Sequence, residues 1–362
     1  MKAAVFYRPG EKLSIEEVGI DNPGPHEVLI RTAAVGLCHS DLHYIDGLYR
    51  VAAPAVLGHE TAGIVEKVGE DVTGLKPGDH VIGCLSVFCG HCAYCTTGRP
   101  YNCDHQHETR RPETVASRLS LDGRPVHHFY DLAGFAEQML VHEHAVVKIR
   151  PDMPLDRAAL IGCAVTTGMG AVTNTAKVPV GATVAVIGCG GVGLSAVNGA
   201  AIAGAGRIIA IDIHDAKLDL ARTFGATDTV NARSCDPVEA VREMTGGGVE
   251  YSFEALGLKA TVEQAYEMLR PSGTATVIGM VPKGQKLEID PVSLLFDRRL
   301  QGSNMGSNRF RVDMPRYVDF YMAGRLHLDR MISNRIGLAG INEGFAELRK
   351  GELARSVITF PA

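Results

Sequence analysis

Long apolar runs are missing from the sequence, and charged or polar residues interrupt every candidate before it reaches the length of a bilayer span. A helical membrane protein is therefore not expected, and no membrane partner. The opening stretch MKAAVFYRPGEKL lacks the apolar centre of a signal peptide and turns polar at once, so a cytoplasmic protein is the expectation. An excess of basic residues is missing too: 36 Lys and Arg stand against 41 Asp and Glu, a net charge of −5. Broad nucleic-acid binding needs a basic footprint, so no nucleic-acid partner is expected. There is no P-loop to cradle ATP phosphates and no G-x-S-x-G elbow, and HEHA at 142–145 is not the H-E-x-x-H of a zinc protease. Tryptophan is absent. What remains is an ordinary globular composition, in a chain of 362 residues that is long enough for two domains.

Against these absences, four cysteines crowd into FCGHCAYCTTGRPYNC: Cys89, Cys92, Cys95 and Cys103. Four thiolates can close a tetrahedral shell around one zinc ion, and a filled shell leaves no position for substrate. The stretch therefore reads as a structural zinc site. An iron–sulfur run of the bacterial ferredoxin type would end C-x3-C-P, whereas here the fourth Cys is further away and is followed by Asp104. Disulfides suit a secreted chain, but nine Cys is an odd number and no signal segment is evident.

The first third of the chain reads as β-rich. HEVLIRTAAVG, AGIVEKVGE, HVIGCLSVF and FAEQMLVHEHAVVKI are short apolar or alternating runs, punctuated by turns such as NPGPHE and LKPGDH. A barrel-like or sandwich-like unit follows from that pattern. Near Pro151 the texture changes to the Ala- and Gly-rich LDRAALIGCAVTTGMGAVTN, which reads as helical. From Ala182 strands alternate with helices, which implies βαβ units and a parallel sheet, so the fold class is α/β. The tail ends in a last strand, SVITF, and is expected to return to the first domain.

VAVIGCGGVGLSAV carries Gly188, Gly190 and Gly193 in G-x-G-x-x-G, after a buried strand and at the start of a helix, the context the motif requires. The first Gly permits the tight turn, the second lets a pyrophosphate approach the backbone, and the third lets helix pack on strand. Free N–H groups of that helix N-terminus would face the phosphates. Asp212 ends the next strand, about 20 residues further on, where a carboxylate can accept bonds from both adenosine ribose hydroxyls and would repel a 2′-phosphate. NAD is thus expected over NADP, and Lys217 can also reach the ribose.

Three more ligand types are scattered: Cys38 in GLCHSDLH, His59 in GHE and Cys163 in IGCAV. Each alone is an ordinary buried Cys or hydrogen-bonded His. Together they would supply two thiolates and an imidazole and leave one tetrahedral position open, a catalytic zinc layout. With GLCHSDLH, GHETAGIVEKVGE, the four-Cys lobe, IGCAVTTGMGA, VIGCGGVG and ARSVITF in this order, the chain resembles the zinc-dependent alcohol dehydrogenases of the medium-chain dehydrogenase/reductase family along essentially its whole length. RPVHHF and the long segment before it resemble the dimeric, class III-like branch.

The resemblance implies a GroES-like, β-rich catalytic domain from residues 1–164 and 305–362, carrying the zinc lobe at 89–103, and a Rossmann domain of doubly wound parallel sheet at 165–304. It implies two zinc ions per chain, NAD and a homodimer. The catalytic zinc is assigned to Cys38, His59 and Cys163, with Glu60 as a transient ligand and Asp41 orienting His59. The structural zinc falls to Cys89, Cys92, Cys95 and Cys103. Ser40 and His43 match the family's proton relay from substrate oxygen to solvent. Thr167, Gly191 and Val192 join Gly188, Gly190, Gly193, Asp212 and Lys217 around the cofactor. Arg355 and His39 match pyrophosphate positions; His39 stands where several members have Arg, and a neutral imidazole is expected to release NADH faster. Leu85, Phe129, Tyr130 and Met280 line an apolar substrate cleft by the same matching. The implied reaction is reversible oxidation of primary, and with small Ser40 also secondary, alcohols bearing aliphatic or aromatic tails. The runner-up substrate is S-(hydroxymethyl)glutathione, whose carboxylates Arg110, Arg111 or Arg118 could read. A non-catalytic binding protein or a zinc-free reductase would lack part of this ligand set, and no ligand or turn glycine is missing.

Overall fold

The computed structural model describes residues 1–112, 114–351 and 355–361, so Ala354 of the ARSVITF stretch lies outside the described residues. The chain divides into two compact units. One comprises Met1–Cys163, Arg309–Gly324 and Met331–Ala362, and the other Ala164–Asn308 and Arg325–Arg330. Among the described residues no helix is long and apolar enough to cross a membrane.

Two sheets build the first unit. In one, the order is Ser14–Glu17, Lys2–Phe6, Ala55–Val56, Arg124–His128, Leu119–Leu121 and Gly19–Ile20. In the other it is Val146–Ile149, His80–Gly83, Glu60–Val68, Glu27–Gly36, Arg355–Thr359 and Ile332–Ile336, with Gln138–His142 also pairing Glu27–Gly36. The run EVLIRTAAVG is buried almost throughout because its strand is central, flanked by three partners. Its register sets Gly36 opposite Glu60, where a Cβ would lie 2.1 Å from the Glu60 carboxylate, so only glycine fits. The core beside it gathers Leu37, Leu57, Phe129, Phe135 and Phe345. Each such side chain contributes about 1.5–3 kcal/mol on burial.

The second unit is a six-stranded sheet in the order Asp228–Asn231, Arg207–Asp212, Thr183–Ile187, Val249–Glu254, Leu269–Val277 and Arg299–Gly302, parallel throughout. TVAVI and RIIAID are apolar along their length because helices cover both faces of a parallel sheet. Strand order reverses between Thr183–Ile187 and Val249–Glu254, the switch point at which doubly wound sheets bind ligands. Helix Gly191–Ala203 follows the first of these strands and is built of small residues, most of them buried. The helical stretch 155–176 contains two π-type segments, Ile161–Val165 and Ala171–Ala176, on either side of Thr166–Gly170. Cys163 sits in the first, a distortion that re-aims side chains and is frequent at functional sites.

Candidate functional site

Three elements of the first unit converge on one buried point. Cys38 follows the central strand and precedes helix His39–Ile45. His59 stands just before strand Glu60–Val68, after a Gly58 held at φ +91°, where a Cβ would meet Phe135 at 2.7 Å. Cys163 comes from the π-type segment. One ligand atom each of Cys38, His59, Glu60 and Cys163 lies within 4.8 Å of all the others, and all four residues are buried. Asp41, also buried, organises the group. It accepts from the Gly58 N–H at 3.1 Å, from His59 Nδ1 at 3.0 Å and from the Cys38 N–H at 3.3 Å. With Nδ1 donating to Asp41, the lone pair of His59 is on Nε2, which is buried without a hydrogen-bond partner. A dry imidazole nitrogen beside two thiols is costly as packing and fits a metal ion. Sulfur, sulfur and imidazole suit zinc.

Arg355 completes the electrostatics. It is 2% exposed, with its guanidinium 3.2 Å from Glu60 and 3.7 Å from the Cys38 sulfur. Burial pushes the Glu60 carboxyl up to about 8 although Arg355 pulls the other way. A hydrogen bond from Cys163, with the charge of Arg355, holds the Cys38 thiol well below its usual range although burial opposes it. The same bond and burial hold Cys163 well above that range. Within this unit Arg355 therefore balances the Cys38 thiolate, a role that sequence reasoning missed. No local signal could have found it, because it depends on strand Arg355–Thr359 pairing beside Glu27–Gly36.

The aromatic pair expected at the substrate wall borders this point. Phe129 and Tyr130 lie with ring centroids 5.8 and 5.9 Å from His59, and the Tyr130 hydroxyl meets that of Tyr44 at 3.0 Å. Tyr44 was not anticipated; it shares helix His39–Ile45 with the half-buried Ser40 and His43 and the exposed His39. Leu85, half-buried, packs against a neighbouring cluster that includes Val87 and Leu132. The three arginines that could have read glutathione carboxylates already have carboxylate partners. Arg111 and Arg118 both bond Glu27, and Arg110 grips Asp131.

In the lobe, the sulfurs of Cys89, Cys92, Cys95 and Cys103 also lie within 4.8 Å of one another. The pairs Cys92–Cys95, Cys89–Cys95 and Cys92–Cys103 are 3.5, 3.9 and 3.9 Å apart. All four thiols are free, and these separations are far beyond a disulfide bond. They match the edge of about 3.8 Å that a tetrahedron acquires from metal–sulfur distances of about 2.3 Å. Backbone N–H groups of Cys89 and Cys92 point at the sulfurs of Cys103 and Cys89, which stabilises thiolate.

The glycine turn lies at the switch point of the second unit. Gly188 has φ +93°, and a Cβ on Gly193 would sit 1.6 Å from the Gly188 carbonyl oxygen, so helix and strand touch backbone to backbone. A Cβ on Gly190 would meet no protein atom, so its bareness serves whatever approaches from outside, as a dinucleotide phosphate does. Gly191 and Val192 open the helix, and Thr167 is buried with its hydroxyl at Met305. Asp212 accepts from the N–H groups of Cys189, Ile213 and His214, which fixes its carboxylate at the strand end. Lys217 lies on helix Asp215–Thr223, half-buried, and Met280 backs onto Gly257 beyond the neighbouring strand.

The profile of the alcohol dehydrogenase GroES-like domain matches residues 24–151, and that of the zinc-binding dehydrogenase domain matches residues 191–322. A class-3 alcohol dehydrogenase of Zea mays is 40% identical over 370 residues, covering 99% of this chain and 96% of the relative. The crystal structure of an alcohol dehydrogenase zinc-binding domain protein from Burkholderia ambifaria superposes with a TM-score of 0.95 at 38% identity, covering 100% of this chain and 99% of that one. Benzyl alcohol dehydrogenase from Acinetobacter calcoaceticus superposes at 0.94 and 33% identity, covering 99% of both chains.

Proposed function

The chain belongs to the zinc-dependent alcohol dehydrogenases of the medium-chain dehydrogenase/reductase family, and on that premise we propose that it oxidises alcohols with apolar aliphatic or aromatic tails, reversibly and with NAD, as a cytoplasmic homodimer carrying two zinc ions per chain. The observation that carries this reading is the convergence of Cys38, His59 and Cys163 with an unpartnered His59 Nε2. These three residues would hold the catalytic zinc, and Cys89, Cys92, Cys95 and Cys103 the structural one. Gly188, Gly190, Gly191, Val192, Gly193, Thr167, Asp212 and Lys217 would hold NAD, with His39 and Arg355 at its pyrophosphate. We assign residues 1–164 and 305–362 to the catalytic domain and 165–304 to the cofactor domain.

Bound there, zinc would supply Lewis acidity toward the alcohol oxygen and NAD the hydride acceptor. The protein's own part is orientation and proton handling. Asp41 keeps the His59 ring in the tautomer whose Nε2 lone pair faces inward. Ser40 and His43 stand three residues apart on one face of helix His39–Ile45. Ser40 Oγ would accept the substrate's hydroxyl proton while its own proton passes to His43, which exchanges it with solvent. Phe129, Tyr130, Leu85 and Met280 would exclude water and select the tail. The similarity to benzyl alcohol dehydrogenase supports an aromatic tail. The pairing of Arg110, Arg111 and Arg118 with carboxylates argues against glutathione adducts.

The deciding experiment combines metal analysis with an NADH-absorbance screen of ethanol, long-chain, benzylic and terpenoid alcohols, with formaldehyde plus glutathione as contrast. Turnover of apolar alcohols by protein holding two zinc ions per chain is expected, as is loss of activity with retention of fold when the catalytic zinc alone is chelated. Turnover confined to formaldehyde plus glutathione would overturn the substrate class, and active protein with fewer than two zinc ions would overturn the two-metal assignment.

A further inference from the structure

We propose that Arg110 is a positioning residue for the substrate wall: through Asp131 it holds the left-handed turn that sets Phe129 and Tyr130 against His59, and so tunes which alcohol tails the site accepts. The inference rests on the proposed reading that Phe129 and Tyr130 form that wall.

The turn is an unusual one. Tyr130, Asp131 and Ala133 have φ of 50°, 59° and 58°. An aspartate tolerates this region, but a tyrosine and an alanine do not adopt it unless their surroundings impose it. Strain of that kind persists only where it is restrained from outside and gathers at ligand-facing segments. Here the restraints can be named. Beyond the turn, the Gly134 N–H donates to the Gly58 carbonyl at 2.8 Å and the Phe135 N–H to that of Leu57 at 2.9 Å, which ties it to the residues leading into His59. In its middle, Arg110 donates from Nε to Asp131 Oδ1 at 2.9 Å and from Nη2 to Oδ2 at 3.0 Å.

That second restraint is a two-pronged one. A guanidinium fork fixes the plane of the carboxylate as well as its distance, which a lysine cannot do. The Asp131 side chain is largely withdrawn from water while Arg110 stays half-exposed, so the arginine reaches in from the surface to satisfy a charge that would otherwise be stranded. Tyr130 immediately precedes that carboxylate. Its ring packs on Phe129 at 4.3 Å between centroids, and its hydroxyl meets Tyr44. Moving Asp131 therefore moves both rings relative to His59. Arg110 comes from the loop after the four-Cys lobe, so the lobe's folded shape helps deliver it.

The experiment uses the full-length, zinc-loaded protein as wild type, Arg110→Ala, Arg110→Lys, Asp131→Asn and the Arg110→Ala/Asp131→Asn double variant. Three quantities are read: kcat and KM for benzyl alcohol and for ethanol, the tyrosine band of the near-ultraviolet circular dichroism, which no tryptophan obscures, and the melting temperature. Arg110→Ala is expected to change the benzyl-to-ethanol ratio of kcat/KM by about tenfold, mainly through KM. It should also alter the tyrosine band at unchanged zinc content. Asp131→Asn should do the same, the double variant should add nothing further, and Arg110→Lys should recover part of the change. An unchanged ratio and band with a lowered melting temperature would reduce the pair to a stabilising surface bridge and overturn the proposal. Additive effects in the double variant would overturn the route through Asp131. If Arg110→Ala does not fold, Arg110→Lys carries the test, and wild-type selectivity and dichroism in it overturn the need for the fork. Absence of alcohol oxidation by the wild type would instead sink the proposed function, while the dichroism of the variants still reports on the turn.

Discussion

Glu27 is a carboxylate almost removed from water, yet it is the acceptor for two arginines at once. Arg111 Nη2 lies 2.6 Å from it, Arg118 Nε 2.7 Å, and the Gly24 N–H 2.8 Å. Burial opposes its charge, but the bonds from Arg111, Gly24 and Arg118 outweigh it and hold the carboxyl at about 2 rather than 4.5. Because the folded value lies below the ordinary one, the resulting stability is present in full above about pH 4.5 and is lost as pH falls toward about 2. At stake is about 3 kcal/mol. Urea unfolding of wild type at neutral and acid pH should show this loss. Glu27→Gln should start less stable and have a flatter profile across the same window; an equally steep profile would remove Glu27 as its source. None of this was legible beforehand, since Glu27 reads as the first residue of a strand and its arginines lie 84 and 91 residues away. By contrast Asp41, His59 and Cys38 were legible as a group through the family resemblance that GLCHSDLH and GHE help to carry, since each residue alone reads as ordinary.

At the scale of an element, the strand–turn–helix of residues 183–203 separates two uses of glycine. Gly193 is bare because the Gly188 carbonyl presses on it, whereas Gly190 is bare with no protein atom in the way. Gly193→Ala is therefore expected to lower the melting temperature sharply by forcing helix from strand. Gly190→Ala, at an ordinary φ of −80°, should cost about 1 kcal/mol or less at a helix N-cap and yet weaken NADH binding. Thermal melts and NADH fluorescence titrations distinguish the two. Undiminished NADH affinity in Gly190→Ala would remove that glycine from the cofactor cradle. This element was legible because three signals coincide in one stretch: an apolar strand, glycines at fixed spacing and a small-residue helix. The π-type turn that carries Cys163 was not, since IGCAV has no feature that distinguishes a widened turn from regular helix. The left-handed residues 130, 131 and 133 were equally silent, because tyrosine and alanine do not announce such a backbone.

For the whole molecule, the proposed homodimer can be tested at an exposed apolar turn of the second unit. Val292, Leu294, Leu295 and Phe296 form a short helical turn with strongly exposed apolar side chains, just before the strand Arg299–Gly302 at the edge of the sheet. An apolar patch beside an open strand edge is a surface that favours a partner. The double substitution Leu295→Asp and Phe296→Asp should shift sedimentation from dimer to monomer, and an unshifted dimer would place the interface elsewhere. Composition and alternation made the two kinds of architecture legible, β-rich first and βα afterwards. The excursion of Arg325–Arg330 into the second unit was not, since six polar and apolar residues in a tail carry no pattern of their own. The first unit is assembled from three separate stretches, and its central strand Glu27–Gly36 takes a neighbour, Arg355–Thr359, that follows the entire second unit in the chain. During synthesis, then, the nucleotide-type turn emerges and can fold while the thiols of Cys38 and Cys163 still await their guanidinium. The reactive half of the protein is finished only when its last strand leaves the ribosome.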